Sequence, residues 1–529
     1  MIKAKRAAFR VFKRSPSPAA RASFNYIRNR VTNALRKAER VYSQSLHRSS
    51  KLSGSPDSVR QFWDHVKHLS GRKKSSVIPD MCDPNDVSGG NHVACDMDKA
   101  NLLNNFFVQQ TILSGSDSLV PTIGSCNTES FDTLHTCPAD VFNVLHSLRP
   151  RKAPGADDIP PLLLKECARG ISSSLSSLFN ISFTQGKVPS EWKKALVIPV
   201  FKSGDWALPT NYRPISLLSI VSKVQERLVF NKLYRFLSPV VSSRQSGFRK
   251  EDGTEFQLVH LVQSWSELLD NSQFVGAVFF YLKKAFDKVW HAGLLSKLSA
   301  AGVSGSAFLW FEDFLTRRTQ RTVVGSSVSA ELSPSAGVPQ GAILSPLFLV
   351  YVNDLPGAVS AGEANLFADD TSVYVADRDL RCLQRRLQTA VDKVQVWMKK
   401  LLVTVNALKS AVMVFRTSHM AHASISLSIN GELIKQVTVH RHLGLQLDEC
   451  LTWSAHAARV ICKFSQLIGL LHRLRRRLPP PAIRDIYIST LLPVADYACI
   501  VWGPGLRKGD CAKLEKVHHC AARLWHEAG

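Results

Sequence analysis

The chemistry of this chain points to two adjacent acids, Asp369 and Asp370, in Asn365-Leu366-Phe367-Ala368-Asp369-Asp370-Thr371-Ser372-Val373-Tyr374-Val375. Two β-prone runs flank the pair, which predicts a hairpin with the carboxylates at its tip. Neighbouring residues on a strand face opposite ways, so a turn is the simplest means of presenting both acids to one site. Two carboxylates beside a run that should be buried are costly unless something positive sits between them. A divalent cation bound through oxygen meets that need, and Mg²⁺ takes one or two carboxylates plus substrate phosphates. On this stretch alone, an exposed turn that happens to carry Asp-Asp is the simpler reading.

Several elements would have to position such a pair. Phe274 to Leu282 is a nearly continuous apolar run, read as a buried strand. It leads into Lys283-Lys284-Ala285-Phe286-Asp287-Lys288-Val289-Trp290. Trp192 to Lys202 reads as a basic loop entering another buried strand, followed by a Gly204-Asp205 turn and Asn211-Tyr212-Arg213-Pro214-Ile215. Pro214 biases Arg213 towards an extended backbone. Gln245 to Arg249 is a turn, and Gly337 to Pro346 is a glycine-hinged loop expected to open a long apolar helix. Helices are predicted over Pro161–Arg169, 222–237, 294–301, 304–315 and 380–401, and hairpin strands around His440–Asp448.

The chain has 529 residues, enough for roughly two to four domains. Lys plus Arg number 67 and Asp plus Glu 42, a formal charge of +25. That excess argues for a polyanionic partner, nucleic acid first and an anionic membrane surface second. No apolar run approaches about 18 residues, so no membrane span is expected. The 11 cysteines are dispersed, without C-x-x-C and without a secretion signal, which fits an intracellular place in nucleus or cytoplasm. Cys511, His518, His519 and Cys520 match no standard zinc spacing and read as helix residues.

Residues 1–56 carry 14 Lys or Arg against one acid, Glu39. This basic helical start resembles a mitochondrial transit peptide in composition. Nucleic-acid contact is the preferred reading, since the excess continues through Arg72, Lys73 and Lys74; a solvated charged helix is the plainer alternative. Phe62, Trp63, Val66 and Leu69 predict a second short helix, and 75–98 reads as a linker. Two helices are expected from Asp98 to Leu148, with a loop near 114–136. Towards the C-terminus Arg473, Arg475, Arg476 and Arg477 share a turn and a half of helix, a candidate nucleic-acid contact.

Taken in order, these pieces resemble the reverse transcriptases of non-LTR (LINE-type) retrotransposons, of the jockey-like group. The matching residues are Lys152-Ala153-Pro154-Gly155, Asn211 to Ile215, Gln245-Ser246-Gly247-Phe248, Ala285-Phe286-Asp287, Gly337-Val338-Pro339-Gln340-Gly341 with Leu344-Ser345-Pro346, and Phe367-Ala368-Asp369-Asp370. Asn406 with Lys409, His442-Leu443-Gly444 with Asp448 and Trp453, and Ile488 to Gly503 follow. Each is weak alone; the ordered set is specific.

The resemblance implies an α/β (α+β) right-hand polymerase fold: antiparallel palm sheet, fingers, helical thumb and a basic helical N-terminal extension. The expected division is extension 1–74, linker and helix 75–135, reverse transcriptase domain 136–448 and helical thumb 449–529. It also implies an RNA template, a DNA primer, deoxynucleoside triphosphates and Mg²⁺, with Mn²⁺ as a substitute. In such polymerases two ions about 4 Å apart activate the primer hydroxyl and steady the leaving pyrophosphate. By resemblance Asp369 and Asp370 are metal ligands and catalytic, and Lys409 is a general acid for pyrophosphate. Lys202 and Arg213 lie over the triphosphate, Phe286 beneath the incoming sugar, and Gln340 and Gly341 against nucleotide or template. Core packing for Phe286, a loop-structural role for Gln340 and simple exposure for Lys409 are the alternatives.

One position departs from the family. Where it carries an aspartate bridging both ions, this chain has Tyr281. A phenol, with a pKa of about 10, does not replace that charge. Loss of the bridge is expected to cost at least about three decades in rate. Impaired polymerase is therefore the first reading, and a non-catalytic RNA-binding protein derived from one is the second. The family's endonuclease has no room before residue 57, so the chain reads as a fragment starting at an internal methionine.

Overall fold

The computed structural model describes residues 1–71, 77–82, 92–115, 120 and 129–526. Arg72, Lys73 and Lys74, part of the expected 75–98 linker and part of the 114–136 loop lie outside the described residues. Backbone contacts divide the chain into two compact units, Ser76–Gly444 and Met1–Ser75 with Leu445–Gly529. The strands and helices of the chain make it mixed α/β.

The Ser76–Gly444 unit is built on a five-stranded sheet whose central strand is Phe274–Phe280. All seven residues of that strand are buried. Such two-sided burial explains why it reads as a continuous apolar run rather than an alternating one. Gly276 faces the Leu380–Lys400 helix so closely that a Cβ there would stand 2.8 Å from the Leu387 side chain. On the other face Phe279 packs near Trp265 of the Thr254–Asp270 helix. Asp370–Asp377 and Ala411–Phe415 flank the central strand, both antiparallel. Glu363–Phe367 extends the sheet as the other arm of the acid hairpin.

The sheet departs from the all-antiparallel expectation at its far edge, where Lys435–Gln436 runs parallel to Ala411–Val412. Two residues carry no readable alternation, so this strand is set by its neighbour rather than by its own pattern. A second sheet joins Tyr212–Leu217 to Lys194–Phe201 antiparallel, and Lys194–Val197 to Thr319–Thr322 parallel.

Two helix expectations need correction. The long apolar helix after Gly337 is only Leu347–Val352, followed by Leu355–Ala358. Pro346 and Pro356 bound the short pieces, because proline interrupts a helix by removing a donor and clashing with the preceding turn. The Pro161–Arg169 helix stops at Glu166, and a new one runs Ala168–Gln185 to a left-handed Gly186.

The other unit is helical except for the Leu445–Asp448 strand. Its Pro18–Leu52 helix starts with Ser17 Oγ accepting the Ala20 N–H at 3.1 Å and Pro18 in the first turn. Phe62 and Val66 are buried on Pro56–Leu69, as the spacing predicts. The Ser454–Arg475 helix buries Val460, Phe464, Ile468, Leu471 and Leu474, one stripe at three- and four-residue intervals. His47 binds Asp485 at 2.7 Å and Lys51 reaches the same carboxylate at 3.0 Å, tying the N-terminal helix to Pro480–Ile486. Asp448 accepts from the N–H groups of Cys450, Thr452 and Trp453 and so shapes the turn before Ser454. Cys511, His518, His519 and Cys520 are residues of the Lys508–His526 helix.

Candidate functional site

The acid hairpin closes with Phe367 paired to Asp370, leaving Ala368 and Asp369 as the turn. Ala368 has φ +56°, a left-handed conformation that costs a residue with a Cβ about 1–2 kcal/mol. Gln245 answers this. Its Oε1 accepts the Ala368 N–H at 3.0 Å and the Gly247 N–H at 2.8 Å. Gly247 must be glycine, since a Cβ would lie 2.5 Å from the Ala368 nitrogen. Ser246 N–H donates to Leu366 O at 3.0 Å, and Leu366 N–H to Arg244 O at 2.9 Å. The sequence showed 245–249 only as a turn. Gln245 is fully buried in the fold; the sequence offered only its place two residues before Gly247.

The central strand pairs Phe280 with Thr371. One more residue in that register sets Tyr281 across from Asp370, on the same face of the sheet. Tyr281 is 38% exposed, so its ring stands in the open site rather than in the core. Its backbone is fixed: Ser410 Oγ accepts its N–H at 3.1 Å, and its carbonyl accepts the Asn406 N–H at 2.9 Å. Asn406 also accepts the Lys409 N–H through its side chain at 3.2 Å. The tight Asn406–Ser410 turn delivers Lys409, whose Nζ lies over the Tyr281 ring, 5.1 Å from the centroid.

Lys202 and Arg213 share a sheet face. Val200 pairs with Arg213, Phe201 with Tyr212, and Lys202 N–H bonds Asn211 O, so alternation turns Lys202 and Arg213 to the same exposed side. Tyr212 turns the other way and is buried. The Lys284 ammonium is pushed down, first by burial and then by the charges of Lys202, Arg213 and Lys409, with Asp287 pulling against them. Asp370 is pushed up by desolvation and by Asp369, and Lys202 partly offsets both. The Lys202, Arg213 and Lys409 charges thus reach Lys284, and the Lys202 charge also reaches Asp370.

The glycine loop is held by backbone. Ser216 N–H donates to Gln340 O at 2.8 Å, and a Cβ on Gly341, φ +127°, would stand 2.5 Å from Ser216 O. A Cβ on Gly337 would meet Asp287 O at 2.7 Å. Gln340 Nε2 donates to Asp287 Oδ1 at 2.7 Å. Burial pushes the Asp287 carboxyl up. Phe286 is half-buried between Phe348, 4.7 Å between centroids, and the exposed Phe248, at 6.3 Å. Beyond the loop, the fully buried Glu226 accepts the N–H groups of Ile343 and Leu344 at 2.6 and 3.3 Å. No sequence pattern pointed to Glu226.

A two-ion centre needs a third carboxylate facing Asp369 and Asp370, and here a phenol and an ammonium occupy that side. Among the described residues no group of three or more His, Cys, Asp and Glu could hold a metal. The donors present do not fit such a centre.

In the helical unit, Arg473, Arg475, Arg476 and Arg477 line a cleft of about 850 Å³ together with Arg36 and Arg40. Glu39, its one carboxylate, faces Arg477 at 3.6 Å.

Residues 200–447 match the family model described as reverse transcriptase (RNA-dependent DNA polymerase). The chain carries a reverse transcriptase domain. Its relatives include RNA-directed DNA polymerases of the jockey, BS and X-element non-LTR retrotransposons. The RNA-directed DNA polymerase from mobile element jockey of Drosophila melanogaster is 30% identical over 380 residues, 69% of this chain and 41% of that protein. The probable RNA-directed DNA polymerase from transposon BS of the same fly is 27% identical over 517 residues, 93% of this chain and 55% of that protein. The probable X-element polymerase is 29% identical over 399 residues, 73% and 43% of the two chains. The chain thus spans about half the length of the curated relatives it matches. Among its described residues no helix is long and apolar enough to cross a membrane.

Proposed function

We propose that this chain is the polymerase portion of a non-LTR retrotransposon protein, built to copy an RNA template from a DNA primer with deoxynucleoside triphosphates. In this reading Ser76–Gly444 supplies palm and fingers, the C-terminal helices the thumb, and residues 1–74 a basic extension. Asp369 and Asp370 are the catalytic carboxylates. Lys202 and Arg213 hold the triphosphate, Phe286 lies beneath the sugar, and Gln340 and Gly341 border the nucleotide. The arginines from 473 to 477 contact nucleic acid phosphates, where a guanidinium binds bidentately.

We further propose that nucleotidyl transfer is impaired. The observation that carries this is Tyr281, across the register from Asp370 and beneath the Lys409 ammonium. Family members use divalent ions, which stabilise attacking and leaving oxygens; this chain lacks the carboxylate that would bridge them. Primer extension on an RNA template with Mg²⁺ or Mn²⁺ tests the reading. The native protein should be at least about a thousandfold slower than Tyr281→Asp. Robust native extension, abolished by Asp369→Ala, would show that Tyr281 is tolerated.

A further inference from the structure

Tyr281 removes a negative charge, and Lys409 adds a positive one over its ring. Lys202 and Arg213 project from one sheet face, and Lys284 senses them both together with Lys409. The acids that remain there are Asp369 and Asp370, while Asp287 turns inward to Gln340. Lys409, over the ring across from Asp370, and Lys202, whose charge reaches Asp370, thus answer the two carboxylates in an open site, and Arg213 and Lys284 add their charge beside them. A metal-dependent nucleotide site has the opposite balance: its carboxylates repel a bare triphosphate, and the ion mediates between them.

We propose that this site binds nucleoside triphosphates without a divalent ion, with the Lys409 ammonium, held by the Tyr281 ring and the Asn406 turn, taking the electrostatic place of a metal. The ring face attracts the ammonium. It also costs less desolvation than a carboxylate partner would, leaving the donors of Lys409 available to phosphate oxygens. A charge-assisted contact of that kind is roughly twice as strong as a neutral one. The proposal rests on the nucleotide reading given under Proposed function and deepens it.

Equilibrium binding of dATP to the full chain, in EDTA and in millimolar Mg²⁺, tests it. The native protein should give Kd values within about threefold of one another, both weakening as salt rises. Lys409→Ala should weaken binding in EDTA by about tenfold. Tyr281→Ala removes the ring that holds the ammonium and should weaken binding in EDTA towards the Lys409→Ala value. Tyr281→Asp restores the carboxylate and should make binding depend on Mg²⁺, with Kd in EDTA at least about tenfold weaker. A native protein that loses dATP by tenfold or more on chelation overturns the metal-free site and leaves the nucleotide reading standing. A native protein that binds RNA primer-template but no dATP in either condition overturns both.

Discussion

Gln245→Met is a volume-conserving change at a side chain with no solvent exposure, so packing is nearly held while chemistry changes. It removes the acceptor of two buried N–H groups, those of Gly247 and Ala368. Each orphaned donor costs about 1–3 kcal/mol, so the loss is about 4 kcal/mol at the centre of the range. The change also removes Gln245 Nε2, a buried donor with no partner among the described residues, which returns about 2 kcal/mol by the same measure. The net expectation is a destabilisation of about 2 kcal/mol. Its local signature matters more. Ala368 is held at a strained φ largely by this bond, so the turn bearing Asp369 should relax before the sheet melts. Chemical denaturation gives the global figure, and amide hydrogen exchange at Ala368 reads the turn. Under about 0.5 kcal/mol lost, together with unchanged exchange at Ala368, would refute the bracing role of Gln245.

Two further expectations concern the same unit. Gly341→Ala forces a Cβ to 2.5 Å from Ser216 O at a φ of +127°, and should cost about 2–4 kcal/mol in thermal unfolding; a near-neutral variant would mean that the loop yields. His442 is held neutral by burial and by His440, down to about 3, and His440 itself down to about 4 by burial. Both values lie below the unfolded histidine's about 6.5. Their contribution is therefore complete above that pH and lost as acid protonates the unfolded chain first. For His442 the loss between about pH 6.5 and 4.5 is about 2–3 kcal/mol. His442→Asn should flatten the denaturation midpoint against pH over that window, and parallel profiles for variant and native protein would contradict the assignment.

Local pattern made much of this fold readable. The two-sided burial of Phe274–Phe280 wrote itself as an unbroken apolar run, and the acids between two β-prone runs predicted their own turn. Helical stripes such as Val460 to Leu474 survive because one face meets a core. What stayed hidden depends on partners far along the chain. Gln245 and Ala368 are 123 residues apart, and Glu226 and Ile343 are 117, so no window of periodicity contains either bond. The apolar stretch after Gly337 misled because its hydrophobicity reflects burial, whereas its helices are cut by Pro346 and Pro356. At the site, the ordered motifs carried Tyr281 and Lys409 into view separately. That one lies over the other follows from the Asn406 turn, whose geometry no residue pattern encoded.

The segment Arg244–Ser246 lies along the outer rim of Glu363–Phe367 through its bonds to Leu366. A sheet whose outermost strand is left bare invites another polypeptide to add itself there. The opposite rim ends in a two-residue strand containing Lys435, too short and too charged to serve as a template. Peeling Arg244–Ser246 away would therefore do more than loosen two aspartates: it would open the one flank on which neighbouring copies of the chain could zip together.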